Sequence, residues 1–492
     1  MNKTSREFKR ELHLLDSTMI VAGSMIGSGI FIVSADIART VGAPAYVLLV
    51  WIITGLVTIV GALSYGELAG MMPQAGGQYV YLREAYNPLT AFLYGWTFFM
   101  VIQTGTIAAV AVAFAKFTAV IFPWFSENHI LINSGVLNIS AAQFLAIASI
   151  ILLTTLNSLG LYQGKIVQNI FTAVKITVLL GFILIGFIAV RNAEAIAANW
   201  SIFWKGSWTH ISAGKIISIE NLSGLALLPA IGVAMVGSLF SSDAWNNITF
   251  TAGEVVNPRR TIPRSLILGT GLVTLLYVLV NIAYLLILPV TGSPEAADIM
   301  GQGIQFAAAD RVGIAAGTMI IGSAGAIIMA ILIMISTFGC NNGLILAGAR
   351  VYFAMARDKL FFKTAGNLNK KAVPGNALAV QGIWASLLCL SGTYGDLLDY
   401  VIFAVLIFYI LTVVGIYRLR KKQPEAERPY RAYGYPLLPA MYILVAGAIS
   451  LDLLILKPAY TWPGLIIVVM GIPVYYLWKI FKKKSARPLQ QS

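Results

Sequence analysis

The chain has 492 residues, of which 58% are hydrophobic and 11% charged, with a formal net charge of +14 and a mean hydropathy of +0.81. Soluble domains carry about 25% charged residues, so this composition excludes a chain surrounded by water alone and makes a bilayer the solvent of much of it. Most of the lysines and arginines cluster at 3–10, 259–264, 350–371, 418–431 and 479–487; the clusters match no nucleic-acid reading motif, which argues against a nucleic-acid partner and for a record of topology and contact with membrane lipid.

The polar segment 1–13 lacks a short apolar core followed by a small-residue cleavage site, so the first span is expected to be retained. A span needs about 20 apolar residues. About twelve runs meet that need: 14–42, 44–72, 88–122, 140–160, 166–190, 226–256, 264–289, 314–356, 376–392, 396–419, 435–456 and 461–481. Most basic residues then fall on one side, which the positive-inside rule makes cytoplasmic, with both termini there and the chain in the cell (plasma) membrane. The runs 14–42, 226–256 and 314–356 are too long for simple spans and must tilt, break or run past the membrane.

The first run contains GSMIGSGIF, residues 23–31. Each glycine costs about 1 kcal/mol relative to alanine inside a helix, so three in nine residues favour local unwinding. Unpaired backbone at membrane depth is tolerated only where it is buried in protein or lines a cavity. Gly23 and Gly27 also have the GxxxG spacing of closely packed helices, so a packing stripe and a break are both open.

Farther along, 73–88 (PQAGGQYVYLREAYNP) reads as amphipathic, with Tyr79, Tyr81 and Tyr86 suited to a membrane interface. Lys175 follows Lys165 by ten residues, about 15 Å along a helix, a depth from which snorkelling is strained. The longest outer loop, 192–223, holds Trp200, Trp204 and Trp208, and 295–311 is mildly amphipathic, as a small surface helix would be.

The sixth run carries FSSDAWNN, residues 240–247. Ser, Asp and Asn compete locally for backbone hydrogen bonds, and Asp243 brings a costly carboxylate into the membrane. The alternative, an outer loop between two helices, would reverse every later span and leave Arg259, Arg260 and Arg264 outside. Beyond 481 the tail is polybasic and reads as disordered.

Interrupted segments at corresponding positions of two five-helix halves point to a carrier built from inverted repeats. Half-helix N-termini suit a carboxylate, and unwound carbonyls with half-helix C-termini suit an ammonium. A substrate with both groups at fixed spacing is an α-amino acid. Cys340 and Cys389 lie in apolar runs and read as packing residues. His13, His129 and His210 are scattered, without metal-ligand spacing, and neither a Walker A pattern nor GxSxG is present. An enzyme, a bound metal and a cofactor are therefore not expected, and a channel would want a symmetric ring of groups.

GSMIGSGIF resembles the first-helix motif of the amino acid–polyamine–organocation superfamily. ELAGMMPQAGGQYVYLREAYNPLTAFLYGW (67–96) is similar to its second-to-third-helix signature, and FSSDAWNNITFTAGEVVNPRRTIPRS (240–265) to its sixth helix and following loop. RKKQPEAERPYR (420–431) resembles the loop of the L-type amino acid transporter branch, the light subunits of heteromeric transporters and their prokaryotic relatives. The resemblance implies an all-α polytopic membrane protein with the LeuT-type fold, two inverted five-helix repeats and two extra helices. The expected division is a cytoplasmic segment 1–13, a first repeat 14–190, an extracellular loop 191–225, a second repeat 226–419, a cytoplasmic loop 420–434, helices eleven and twelve in 435–481, and a basic tail 482–492.

It also implies roles. The N–H groups around Ser28 and Gly29, with the Ser28 hydroxyl, would hold the substrate carboxylate, near Ser24, Ile26 and Gly27. The carbonyls of Phe240, Ser241 and Asp243 would receive the ammonium; Phe240 would gate the site, and Trp245 and Asn246 would line its lower part. Lys175 matches the fifth-helix lysine whose ammonium lies where sodium-coupled relatives hold sodium, with Ser336 and Thr337 as neighbours, so transport of α-amino acids, neutral ones first, is expected without sodium and by exchange. Proton-coupled symport, uniport, and cationic amino acid or polyamine transport are the alternatives. Three features depart from the light subunits. Asp243 stands where they usually have glycine, and could pair with substrate ammonium, pair with a buried base, carry a proton or face an aqueous vestibule. Gln103-Thr104-Gly105-Thr106 stands where they tend to have Arg-Pro-Ser-Ser. The loop 122–139 has no cysteine, so a disulfide-linked heavy subunit is not expected.

Overall fold

The computed structural model describes residues 8–133, 138–188, 191–212, 214–390 and 394–485. Residues 1–7 of the basic N-terminal segment, 134–137 of the loop after the third span, 391–392 of the 376–392 run and 486–492 of the basic tail lie outside the described residues.

The first run folds as three helical pieces, α1 (Leu14–Met25), α2 (Gly29–Ile32) and α3 (Ser34–Val41), with residues 26–28 unwound between the first two. Val33 keeps helical angles, so α2 and α3 run on as one path that Gly42 ends in the left-handed conformation. Pro44 then opens α4 (Pro44–Met71), where a missing N–H costs nothing. A short helix, α5 (Gln78–Ala85), precedes α6 (Pro88–Thr97), whose first turn is capped by Asn87 accepting from the Thr90 N–H at 3.0 Å. A single π turn, Phe98–Ile102, joins α6 to α7 (Gln103–Ile121). Helix α8 (Ala141–Ser158) starts at a Ser140–Gln143 capping box and is followed by α9 (Leu161–Ile188) and α10 (Ala193–Ser201).

The sixth run also breaks: α11 (Leu227–Ser241) stops, Ala244 takes a positive φ of 63°, and α12 (Asn247–Phe250) resumes. Then come α13 (Pro258–Ile287), α14 (Ile299–Gln302), α15 (Val312–Ile321), α16 (Ser323–Arg357), α17 (Gly375–Leu388), α18 (Tyr394–Lys422), α19 (Leu437–Leu456) and α20 (Pro458–Ser485). Among the described residues, eleven helical stretches are long and apolar enough to cross a membrane. The twelfth expected span, 376–392, is the 14-residue α17.

Of the outcomes open to the over-long 314–356 run, it breaks: two helices meet at Gly322, whose φ of 66° and open surroundings let the chain turn back. The 191–225 segment carries α10 and an antiparallel hairpin, β3 (Gly206–Ser212) with β4 (Lys215–Leu222), after a smaller one of β1 (Ile130–Asn133) with β2 (Asn138–Ser140), so the chain is nearly but not wholly helical. Tyr79 and Tyr81 are buried in protein and do not lie at a lipid interface. The Tyr79 hydroxyl donates to Asp358 at 2.9 Å, and the Tyr81 ring meets Tyr65 at 6.2 Å. The same amphipathic pattern serves a protein groove as well as a membrane surface, and α5 packs on α18 and α16.

Broken helix α1 is enclosed by α9, α13 and α16, and broken α11 by α3, α4 and α19. Small residues allow the close approach: a Cβ on Gly269 of α13 would strike Val21 of α1, and one on Gly55 of α4 would strike Thr274 of α13. At the end that carries both described termini, Leu12 pairs with Val255, and the N–H groups of Glu11 and Leu12 donate to the Glu254 carbonyl at 2.9 and 3.0 Å. The Glu254 carboxylate takes Arg350 in a bidentate pair at 2.8 and 3.0 Å, with side chains only 2% and 1% exposed. Nearby, buried Glu67 accepts from Arg420 at 2.7 and 3.0 Å and from the Ala432 N–H at 2.7 Å, which fastens the 420–434 loop to α4. At the opposite end, Arg39 holds Asp310 at 2.7 Å and the Gln305 carbonyl at 2.6 Å.

Candidate functional site

The unwinding of GSMIGSGIF frees carbonyls that a continuous helix would have used. Every one from Gly23 to Gly27 meets a side chain of another helix. Lys175 of α9 donates its ammonium to the Gly23 and Ile26 carbonyls, each at 2.7 Å. Cys340 of α16 lies 3.0 Å from the Ser24 carbonyl, and the Tyr277 hydroxyl of α13 lies 3.0 Å from that of Met25. Ser336 of α16 reaches the Ile26 and Gly27 carbonyls at 3.2 and 3.1 Å. These bonds offset much of the cost of open backbone at this depth. They also put a buried cation at the C-terminal end of a half-helix, where the backbone dipole favours positive charge. Thr337 does not join them: its hydroxyl bonds the Ile333 and Met334 carbonyls of its own helix, because one residue turns the side chain by about 100° around the axis.

Both readings of the glycines hold together. A Cβ on Gly23 would run into Gln168 and Thr172 of α9, and one on Gly27 would sit 3.2 Å from the Cys340 sulfur. Gly29 serves a third purpose. Its missing side chain leaves room for Ser241, so the two breaks touch at backbone level. The Tyr277 hydroxyl spans them, since it is also 3.1 Å from the Ser241 carbonyl.

In the second break, Asn247 N–H reaches the Ala244 carbonyl at 3.2 Å and Thr249 N–H the Asn246 carbonyl at 2.8 Å, which restarts the helix as α12. Phe240 is buried at the end of α11. Trp245 is wedged edge-on against Tyr65 and tilted against Tyr409, at 4.8 and 5.3 Å between ring centroids. Asn246 donates to Gln78 of α5 at 3.0 Å. Asp243 accepts from the Tyr409 hydroxyl at 2.5 Å and has no ion-pair partner among the described residues, so the buried-base alternative is not realised here.

Asp243 and Asn246 line a small closed cavity with Gln78, Tyr94, Gln103, Thr106, Asn247 and Tyr409. Its free space is about 20 Å³, room for about one water molecule. Asn247 Nδ2 and the Tyr94 hydroxyl, both buried, have no hydrogen-bond partner in it, and buried donors left this way mark a place where a ligand or water belongs. The structure thus brings Ser24, Ile26, Gly27, Lys175 and Ser336 to one break, Phe240, Ser241, Asp243, Trp245 and Asn246 to the other, and joins them through Gly29 and Tyr277. The Ser24 hydroxyl is buried against Gly343 without a hydrogen-bond partner, and Ser28 precedes α2 within the first break. Tyr94, Tyr277 and Tyr409 carry no signal in the sequence, being three of 21 tyrosines. Asn247 stands in the polar octet, and Gln103 and Thr106 belong to the stretch that departs from the light subunits.

Paired helix breaks that meet inside the helical bundle fit a carrier of small molecules, and the model of the family described as amino acid permease matches residues 12–475. The chain belongs to the amino acid permease family. It is 27% identical over 488 residues to the b(0,+)-type amino acid transporter 1 of Mus musculus, covering 98% of this chain and 91% of that one. It is 29% identical over 481 residues to the large neutral amino acids transporter small subunit 2 of Homo sapiens, covering 97% and 82%. The corresponding protein of Oryctolagus cuniculus is 30% identical over 480 residues, with the same coverage. This permease is thus a multi-pass membrane protein of amino acid transport and not an enzyme. Its long apolar helices are consistent with the LeuT-like fold of the superfamily.

Proposed function

We propose that this permease carries neutral α-amino acids by alternating access, without sodium and by exchange. The observation that carries the reading is the Lys175 ammonium, 2.7 Å from the carbonyls of Gly23 and Ile26. It sits where a coupling cation would find its oxygen ligands, so the charge that sodium would bring is already part of the chain. In this reading the backbone N–H groups around Ser28 and Gly29 and the Ser28 hydroxyl hold the substrate carboxylate. Carbonyls of Phe240, Ser241 and Asp243 take the ammonium, and Phe240 moves over the bound molecule as a gate. Trp245 and Asn246 bound the side-chain end. The relatives named for large neutral amino acids support the substrate class.

The architecture of the proposal is a first repeat over 14–190 and a second over 226–419, with both basic termini on the cytoplasmic side of the plasma membrane. The loop 122–139 has no cysteine, so a disulfide-linked heavy subunit has no anchor there. Exchange follows if the two breaks cross the membrane slowly without a substrate between them. Proteoliposomes, empty or preloaded, offered labelled amino acids in sodium and in choline buffer test the reading. Equal uptake in both buffers, accelerated by internal substrate, is the expected result; an absolute sodium requirement would overturn it.

A second reading rests on Asp243. Its carboxylate lines the cavity with no cation among the described residues to neutralise it. That favours a cationic side chain or a proton as partner, and a panel including lysine and arginine separates the two substrate classes.

A further inference from the structure

At the end that carries the termini, away from the helix breaks, a basin of about 360 Å³ opens between the N-terminal segment, helix α5, the chain around Gly253 and the end of α16. That volume is within the range of small-ligand sites, about 300–1,000 Å³. Three arginines line it, Arg10, Arg83 and Arg357, against one acidic residue among the described residues, Asp358. Asp358 is already engaged: it accepts from Tyr79 at 2.9 Å and is in contact with Arg83, which also pairs with Glu84 at 3.0 Å. Arg83 is thereby neutralised. Arg10 and Arg357 have no ion-pair partner among the described residues, and Arg357 is only steadied by the Phe353 ring, 5.2 Å away.

The walls of the basin are held in position. Phe8 meets Phe353 edge-on at 4.9 Å. Gly253 has no side chain to fill the floor, since a Cβ there would lie 3.3 Å from Phe8. Arg10 and Arg357 line the same basin, and guanidinium groups, each a planar fork of donors, match the oxygens of a phosphate better than any neutral or cationic ligand. The geometry points to a site for a phosphate-bearing anion in this basin, gripped by Arg10 and Arg357. An occupant ties the N-terminal segment, which leads directly into α1, to the end of α16.

The phosphate arrives either free in solution or as the headgroup of an anionic lipid, and one set of measurements separates them. Thermal unfolding of the purified full-length protein is followed with inorganic phosphate in neutral detergent. In parallel it is followed in nanodiscs of phosphatidylcholine with and without phosphatidylglycerol. Three proteins are compared: the native chain, R10Q/R357Q, and R260Q/K421Q, which removes the same charge from the same end outside the basin. Stabilisation of about 2 °C near saturation by phosphate, kept in R260Q/K421Q and lost in R10Q/R357Q, identifies a soluble anion. The same pattern with phosphatidylglycerol alone identifies a headgroup. If all three proteins respond alike, or none responds, the site does not exist. Arg357→Gln alone, with an expected partial loss, keeps the test decisive should the double variant fail to fold.

Discussion

Lys175 of α9 lies 2.7 Å from the carbonyl of Gly23, so a charged side chain closes a gap in the backbone of a helix 152 residues away. Lys175→Met removes the donor and keeps the stem. The Gly23 carbonyl is then left without this donor, at about 1–3 kcal/mol, whereas Ile26 retains Ser336. Such a loss shifts the population of a competent break by on the order of tenfold to a hundredfold. Uptake into proteoliposomes is expected to fall by that factor, and unchanged uptake would remove Lys175 from the transport cycle.

Gly29→Ala tests the contact between the breaks. The new methyl would meet the Ser241 side chain and sit 3.1 Å from its Cα, a backbone atom that cannot step aside. Overpacking of this kind costs about 1–3 kcal/mol, and transport is expected to be lost together with several degrees of thermal stability. Gly181→Ala on α9 is the matched control, because nothing lies within 4 Å of the added methyl; its melting temperature and uptake should stay at the native level.

Asp243→Asn keeps an acceptor for Tyr409 and deletes the charge. If Asp243 carries a coupled proton, uptake between about pH 5.5 and 8 loses its pH dependence in the variant. If it receives a cationic side chain, uptake of lysine and arginine falls while leucine is carried as before. The neutral exchange reading expects neither change, and the two profiles together decide among the three.

The buried pair Glu254–Arg350 makes a prediction about stability. Removing one partner, as in Arg350→Met, leaves a buried carboxylate alone and is expected to cost about 3–5 kcal/mol. The double variant E254L/R350M, apolar on both sides, should recover most of that loss in a thermal melt. Equal damage from the single and double variants would show that the unpaired carboxylate is not the source of the loss.

The sequence by itself determined that this chain lives in a membrane, where its basic loops fall, and that two of its spans are interrupted. Those features are legible because they break a local rule: three glycines in nine residues, or FSSDAWNN inside an apolar run, conflict with a continuous helix whatever surrounds them. Only the tertiary structure decided what meets the opened backbone. Ser336 and not Thr337 reaches the first break, Cys340 and Tyr277 reach it from helices more than 250 residues away, and Tyr409 rather than a base faces Asp243. It likewise decided that Tyr79 and Tyr81 pack inside the protein and that 206–222 is a hairpin. The reason is one of range: propensity and periodicity act over a few neighbouring residues, whereas the rotation of one helix against another, which selects the side chain that fills a gap, is fixed by packing among segments far apart in the chain.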